Sequence, residues 1–377
     1  SVIYGDSTSL RNMANYPLWI VEGLAEYMSL GSKDAHTSMW MRDAVLNDRI
    51  PSLTDLNNPA FFPYRYGQAF WSFLTGNYGD GVIRPFFSNI AKFGMEDAIR
   101  LTLGLEPDDL SDMWVKALKD HYQPFLDGKT DKLIGKKLLS EENSGRMNIS
   151  PVLSPDGKYV AFLSEKDLFS IDVFLADARS GKIIRKIAST SRDAHFDAFN
   201  FIESAGTWSP DSKEFAIVGF RKGENAIQVK DVQTGKTTTE FTIPGVPAFG
   251  NITWSPNGRS IALAGLVDGQ VDLYDYNFKS GKVKQLTDDK ASEMQPIWSS
   301  DGSTILYATD KLSEERGLVD GRWTFNIAEL DVESKATKQY DVFYGADNLN
   351  PIYDYQDNIL FLSNRDGYRN LYKYDKS

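Results

Sequence analysis

A chain of 377 residues without a single cysteine excludes disulfide scaffolds, thiolate zinc sites and cysteine nucleophiles. The formal net charge of −11 argues against a nucleic-acid partner, which needs clustered Lys and Arg. No apolar run approaches the about 20 residues of a membrane span, and the length leaves room for two or three domains. Ser1 opens the chain with no signal-peptide pattern behind it, so a mature, trimmed or partial polypeptide is expected.

The first third reads as helical. Trp19, Gly23 and Tyr27 share one face of a segment that opens at Pro17, a favourable first-turn residue. Tyr66–Leu74 is a second apolar helical run, with Gly76 and Asn77 as its stop signals. Pro107–Leu118 carries acids in its first turn and lysines later, as the helix dipole favours. A polar stretch with Pro124 and Gly128 follows. The expected division is a helical part over 1–125, a linker over 126–131 and a repeat region over 132–377.

From about residue 132 the period becomes that of strands. S-P-D-G-K at Ser154–Lys158 returns as S-P-D-S-K at Ser209–Lys213, S-P-N-G-R at Ser255–Arg259 and S-S-D-G-S at Ser299–Ser303. These serines stand 55, 46 and 44 residues apart. A decayed fifth copy runs from Pro351 to Phe361. Periods of this size signal one supersecondary unit stacked on copies of itself. Each unit resolves into four short strands. In the first, a strand ends at Leu153, Pro155 and Asp156-Gly157 make a turn, and Tyr159–Leu163 and Ile171–Asp177 follow. A second turn at Ser180-Gly181 leads to Lys182–Ile187. The second turn recurs at Thr234-Gly235-Lys236 and Ser280-Gly281-Lys282, and at Ser334-Lys335 without its glycine.

Four antiparallel strands per repeat are the signature of a β-propeller blade. The expected fold class is therefore multidomain α plus all-β, a helical subdomain followed by a propeller with five units visible. Trp208, Trp254 and Trp298 each precede the turn serine and are expected to pack between blades. The fifth unit has three strands, and Lys132–Leu139 reads as a lone fourth strand ahead of the first unit. The ring is then either closed with five blades or the front of a larger one.

Three segments carry a resemblance to the TolB-like family of bacterial envelope propellers: Trp254–Leu263, Ser363–Tyr372 and Gly281–Thr287. It covers about residues 132–377. It implies a periplasmic, outer-membrane-associated or extracellular protein that binds a protein or peptide partner, and a family whose propellers usually have six blades. Pro17–Tyr27 resembles the W-x-x-E-G-x-A-E-Y element of gluzincin-type, peptidase MA-like zinc peptidases. That resemblance implies Glu22 as a zinc ligand, Glu26 as a residue orienting a ligand, and Tyr66 as a catalytic hydroxyl stabilising an oxyanion.

The family's H-E-x-x-H is not in this sequence, whose three histidines are His36, His121 and His195. Their wide separation gives no ligand spacing. No cofactor is expected in this chain alone, and zinc only where an H-E-x-x-H precedes it in a longer precursor, whose remainder would then be a partner. The D-G turns lack the acidic ladder of a calcium loop. No G-x-S-x-G occurs either, so the hydrolase half of a prolyl-oligopeptidase-like enzyme is not in the sequence. The leading expectation is a partner-binding envelope propeller fused to an incomplete peptidase-like domain. The alternatives are a zinc metallopeptidase and the propeller of a serine peptidase.

Overall fold

The computed structural model describes residues 15–126, 135–145, 147–167, 170–189, 198–199, 205–221, 223–319 and 321–376. These divide near residue 133 into a helical unit and a strand unit.

In the helical unit, α1 (Leu18–Leu30) and α2 (Ala35–Leu46) are followed by α3 (Pro63–Tyr78), α4 (Ile83–Phe93), α5 (Met95–Leu103) and α6 (Pro107–Leu126). Trp19, Phe70, Trp71, Phe86 and Trp114 are fully buried in its core. The indoles also satisfy their polar edges: Trp71 Nε1 donates to Ile20 O at 2.9 Å, and Trp114 Nε1 to Pro51 O at 3.2 Å. The closest approach of two elements is between α1 and α3. A Cβ on Gly23 would lie 2.3 Å from the Gly67 backbone, and one on Gly67 would lie 2.0 Å from Trp19 O. The glycine of the E-G-x-A-E-Y segment is thus required by helix packing.

Two boundaries differ from expectation. Helix α3 runs through Gly76 and Asn77 and stops at Gly79, whose φ of 74° ends it. Asn77 stays helical because its side chain donates to Phe73 O, one turn back. Helix α6 likewise carries Pro124 inside it and reaches Leu126, while residues 127–131 of the expected linker lie outside the described residues.

The strand unit opens with a short helix, α7 (Glu141–Ser144), and is a five-bladed β-propeller. Blade 1 is β1 (Asn148–Leu153), β2 (Tyr159–Ser164), β3 (Asp172–Asp177) and β4 (Ile183–Ala188). In blade 2 the inner strand is split into β5 (Ala198–Phe199) and β6 (Thr207–Trp208), both paired with β7 (Glu214–Arg221). The blade continues with β8 (Glu224–Asp231) and β9 (Thr237–Phe241). Blade 3 is β10 (Ala248–Trp254), β11 (Ser260–Val267), β12 (Gln270–Asn277) and β13 (Val283–Gln285). Blade 4 is β14 (Glu293–Trp298), β15 (Thr304–Thr309), β16 (Asn326–Asp331) and β17 (Thr337–Tyr340), with α8 (Lys311–Arg316) inserted after β15. Blade 5 has three strands among the described residues: β18 (Asn348–Tyr353), β19 (Ile359–Ser363) and β20 (Asn370–Tyr374).

Second strands are buried on both faces, so they read as near-continuous apolar runs. Ile261 and Leu263 of β11 face blade 2, and Ala262 and Ala264 face blade 4. Trp208 packs in the seam of blades 1 and 2, and its Nε1 donates to Val152 O of blade 1 at 3.0 Å. Trp254 and Trp298 pack against the corresponding later seams.

The turns explain the repeat. Ser154 Oγ donates to Asp156 Oδ1 at 2.7 Å and accepts from Tyr159 N at 3.0 Å, and Ser209, Ser255 and Ser299 do the same in their blades. With the Ser154 hydroxyl and the Lys158 amide as donors, the Asp156 carboxyl is held down to about 2. Where a copy lacks the turn glycine, the backbone keeps the left-handed shape anyway. Ser212, Lys335 and Asp357 have φ of 59°, 60° and 61°.

One expected strand does not form. Of Lys132–Leu139, residues 132–134 lie outside the described residues, and 135–139 are irregular. Leu139 packs on the outer face of blade 1 against Phe162 and Phe174, and Lys136 Nζ donates to Arg179 O at 3.0 Å. Leu138 O also accepts from Asn143 Nδ2 at 2.9 Å, so residues 135–139 are held by side-chain contacts and bonds, with no strand ladder among the described residues.

Candidate functional site

Each unit carries one candidate site. In the helical unit the carboxylates of α1 have distinct partners. Tyr64 donates its hydroxyl to Glu22, and this bond holds the phenol above its ordinary range. Glu26 accepts from Arg65 Nη1 at 2.9 Å. The same Arg65 nitrogen reaches Asp34 Oδ2 at 3.3 Å, and Asp34 also caps α2 by accepting from Thr37 N at 2.7 Å. Arg65 therefore ties α1, the start of α2 and α3 together. Beside these groups Trp40 stacks on Phe62, 5.6 Å between centroids, and both are exposed.

Tyr66 lies in the core. It is 6% exposed, edge-on to Phe61 and Trp40, and burial pushes its phenol up. The hydroxyl that meets Glu22 belongs to Tyr64, two residues earlier, which the sequence reading passed over. Only the three-residue offset from Phe61 to Tyr64 along one aromatic run hinted at it. His36 and His121 are exposed on α2 and α6, and His195 lies outside the described residues. Among the described residues no group of three or more His, Asp or Glu is placed to hold a metal ion. The residues present do not make a zinc site by themselves.

The second site is the axial cavity of the propeller, about 270 Å3, lined by the inner strands of all five blades. Every inner strand kinks there. Ser150, Asn251, Gln295 and Asn350 have φ of 51°, 46°, 56° and 51°, and in blade 2 the kink falls one residue later in the repeat, at Gly206, with φ of 138°. In blades 1, 3, 4 and 5 the kink is a β-bulge, where the register shifts between β1 and β2, β10 and β11, β14 and β15, and β18 and β19. A relay of carboxamides links the kinks. Asn251 Oδ1 accepts from Gln295 N at 3.3 Å, and Gln295 Oε1 accepts from Asn350 N at 2.6 Å.

Among the described residues no ionisable side chain lines the cavity. Pro151, Pro296 and Pro351 follow three of the kinks and remove backbone donors from the wall. The wall thus offers amides, hydroxyls, carbonyls and aliphatic edges, which suits recognition of a neutral polar group. None of its side chains is a nucleophile paired with a base. The polar, uncharged lining of the cavity was not legible in the repeat, because left-handed kinks at Ser, Asn and Gln leave no residue pattern of their own.

Five antiparallel sheets, each built on the same repeat, define a β-propeller. Its repeat region is TolB-like: residues 202–315 match the TolB beta propeller domain family. The Tol-Pal system protein TolB of Ruthia magnifica subsp. Calyptogena magnifica is 27% identical over 178 residues, 44% of this chain and 40% of that protein. An uncharacterized protein of Agrobacterium fabrum is 28% identical over 168 residues, 44% of this chain and 52% of that protein. The chain spans about half or less of the length of the curated relatives it matches. Among solved structures, TolB from Acinetobacter baumannii aligns with a TM-score of 0.46 and 18% identity, covering 66% of this chain and 58% of that one. No helix among the described residues is long and apolar enough to cross a membrane.

Proposed function

We propose that this chain is a bacterial envelope protein whose propeller docks a protein or peptide partner at its axial mouth. The observation that carries the reading is the uncharged cavity walled by five kinked strands and the Asn251–Gln295–Asn350 relay. The relative named as a Tol-Pal system protein supports the envelope and the partner class. A neutral polar segment, such as a peptide turn presenting its backbone amides, suits the wall. Asn350→Arg puts bulk and charge at an exposed wall position without entering a blade core. The expected result is at least about a tenfold loss of the partner that the unaltered protein retains from a bacterial envelope extract, with an unchanged melting temperature. Equal retention by the folded variant would reject the cavity as the docking place.

A second reading, a zinc metallopeptidase of gluzincin type, is favoured by one observation. Glu22 is half-buried on α1 with a phenol donating to it. In that reading Glu22 is one ligand, and two imidazoles come from outside the described residues. Zinc content of the full-length protein is expected to fall in Glu22→Gln. Zinc content identical to that of the unaltered protein would remove Glu22 from the ligand set.

A further inference from the structure

The inner strands of blades 1, 4 and 5 open on Asn148, Glu293 and Asn348. These stand opposite Ser164, Thr309 and Ser363 on the neighbouring strand. The two asparagines act as donors toward the chain that leads into their own strand. Asn148 Nδ2 donates to Gly145 O at 2.7 Å, and Asn348 Nδ2 to Val342 O at 2.8 Å. Glu293, 2% exposed, turns the same way and meets Thr287 Oγ1 at 2.9 Å. A carboxylate only accepts, so Glu293 matches its sister residues only when it carries a proton.

The bonds around Thr287 point the same way. Its oxygen accepts from Leu273 N at 2.9 Å and lies 3.3 Å from Asp272 Oδ1. A hydroxyl has one proton and two lone pairs. One lone pair serves Leu273, so the single proton serves one carboxyl and the other carboxyl bonds only by donating. Asp272 also accepts from Gln285 Nε2 at 3.1 Å, as an ionised carboxylate does. With the Thr287 proton given to Asp272, Glu293 is the protonated partner, donating from Oε2 while its Oε1 accepts from Thr309 Oγ1 at 3.4 Å.

We infer that Asp272 and Glu293 share one proton through Thr287 at the seam of blades 3 and 4, and that losing this proton to alkaline solution loosens the seam. Thr287 follows Leu286, which is buried in the core between those blades. The charged groups facing Glu293 are acids, Asp272 on β12, Asp289 in the connecting chain and Asp310 after β15, and the buried Tyr307 phenol of β15 faces it as well. The nearby cation Lys311 is bound to Glu314 at 3.0 Å and Asp289 at 3.3 Å. Burial pushes Glu293 up to about 8, and the three acids add to it. Burial raises Asp272 as well, against Thr287 and Gln285.

A carboxyl raised in the folded state contributes stability that is complete below its unfolded value. That contribution is lost as pH rises through the folded value. The melting temperature of the unaltered protein should therefore fall by roughly 5 °C or more between pH 6 and pH 9. Glu293→Gln keeps the donor and should lack this component. Asp272→Asn should keep it but move its midpoint to lower pH, which a purely structural role would not do. Glu293→Asn, the sister residue, stands in if the glutamine variant does not fold. Amide exchange at Leu273 should lose protection above pH 8 in the unaltered protein and not in Glu293→Gln. Parallel pH profiles for the unaltered protein and Glu293→Gln, or an unmoved midpoint in Asp272→Asn, would overturn the shared proton.

Discussion

Gly67→Ala is expected to destabilise the helical unit by about 3 kcal/mol or more. Its new methyl would sit 2.0 Å from Trp19 O and 2.6 Å from Gly23 Cα, and both obstacles are backbone. Relief requires α1 and α3 to separate. That breaks the Trp71–Ile20 bond and opens the core around Trp19 and Phe70. Gly76, in the same helix, is the internal control. A Cβ there meets nothing within 4 Å, so Gly76→Ala should stabilise by about 0.5–1 kcal/mol through helix propensity alone. Thermal unfolding followed by the 222 nm helix signal separates the two. Equal melting temperatures for Gly67→Ala and the unaltered chain would mean that the α1–α3 crossing is not tight in solution.

The second large effect is expected at Glu329. Its carboxylate accepts from Tyr340 Oη at 2.6 Å, Tyr353 Oη at 2.7 Å and Lys376 Nζ at 2.9 Å. Tyr353 belongs to blade 5 and Glu329 to blade 4, so this side chain ties the last blade to its neighbour with a charged bond, beside the shared core of Leu306, Ile327, Ile359 and Phe361. Glu329→Ala strands Tyr340 and leaves Tyr353 with Thr304, 3.1 Å away. The expected cost is about 2–4 kcal/mol. It should be read as faster amide exchange across β18–β20 while blades 1–3 are unchanged. Burial raises the Glu329 carboxyl, but the bonds from Tyr340, Lys376 and Tyr353 outweigh it and leave it depressed. A depressed carboxyl contributes stability above its ordinary value, and that contribution disappears as pH falls through the depressed one. Protection of blade 5 should therefore drop on acidification in the unaltered protein and be insensitive to acid in Glu329→Ala. Uniform exchange in both proteins would show that the clasp carries no load.

What the sequence revealed follows from which forces leave a period. The S-P-D-G turns were legible because one hydroxyl and one carboxyl must meet the same backbone amides in every blade. The strand positions were legible because two-faced burial writes apolar runs. The pattern survived even in the fifth copy, where Asp354 takes over the cap by accepting from Gln356 N and Asn358 N. Helix α3 overran its stop signals because Asn77 capped itself on Phe73. Residues 135–139 looked like a strand by alternation, but alternation does not supply a ladder partner.

The candidate sites were harder to read. Glu22 and Glu26 stand out as carboxylates on one helix face, yet Arg65 and Tyr64, which decide what those carboxylates do, come from another helix. Nothing near Glu293 announces a shared proton. It becomes visible only when blade 4 is laid over blades 1 and 5 and a carboxyl stands where the others hold an amide.

The left-handed kinks at Ser150, Asn251, Gln295 and Asn350 give two kinds of position on one wall. Asn251 and Gln295 bond the backbone of the following blade, so a change at either alters both the central opening and a joint between blades. The side chains of Ser150 and Asn350 make no such bond among those described, so the opening can be reshaped there while the joints stay as they are.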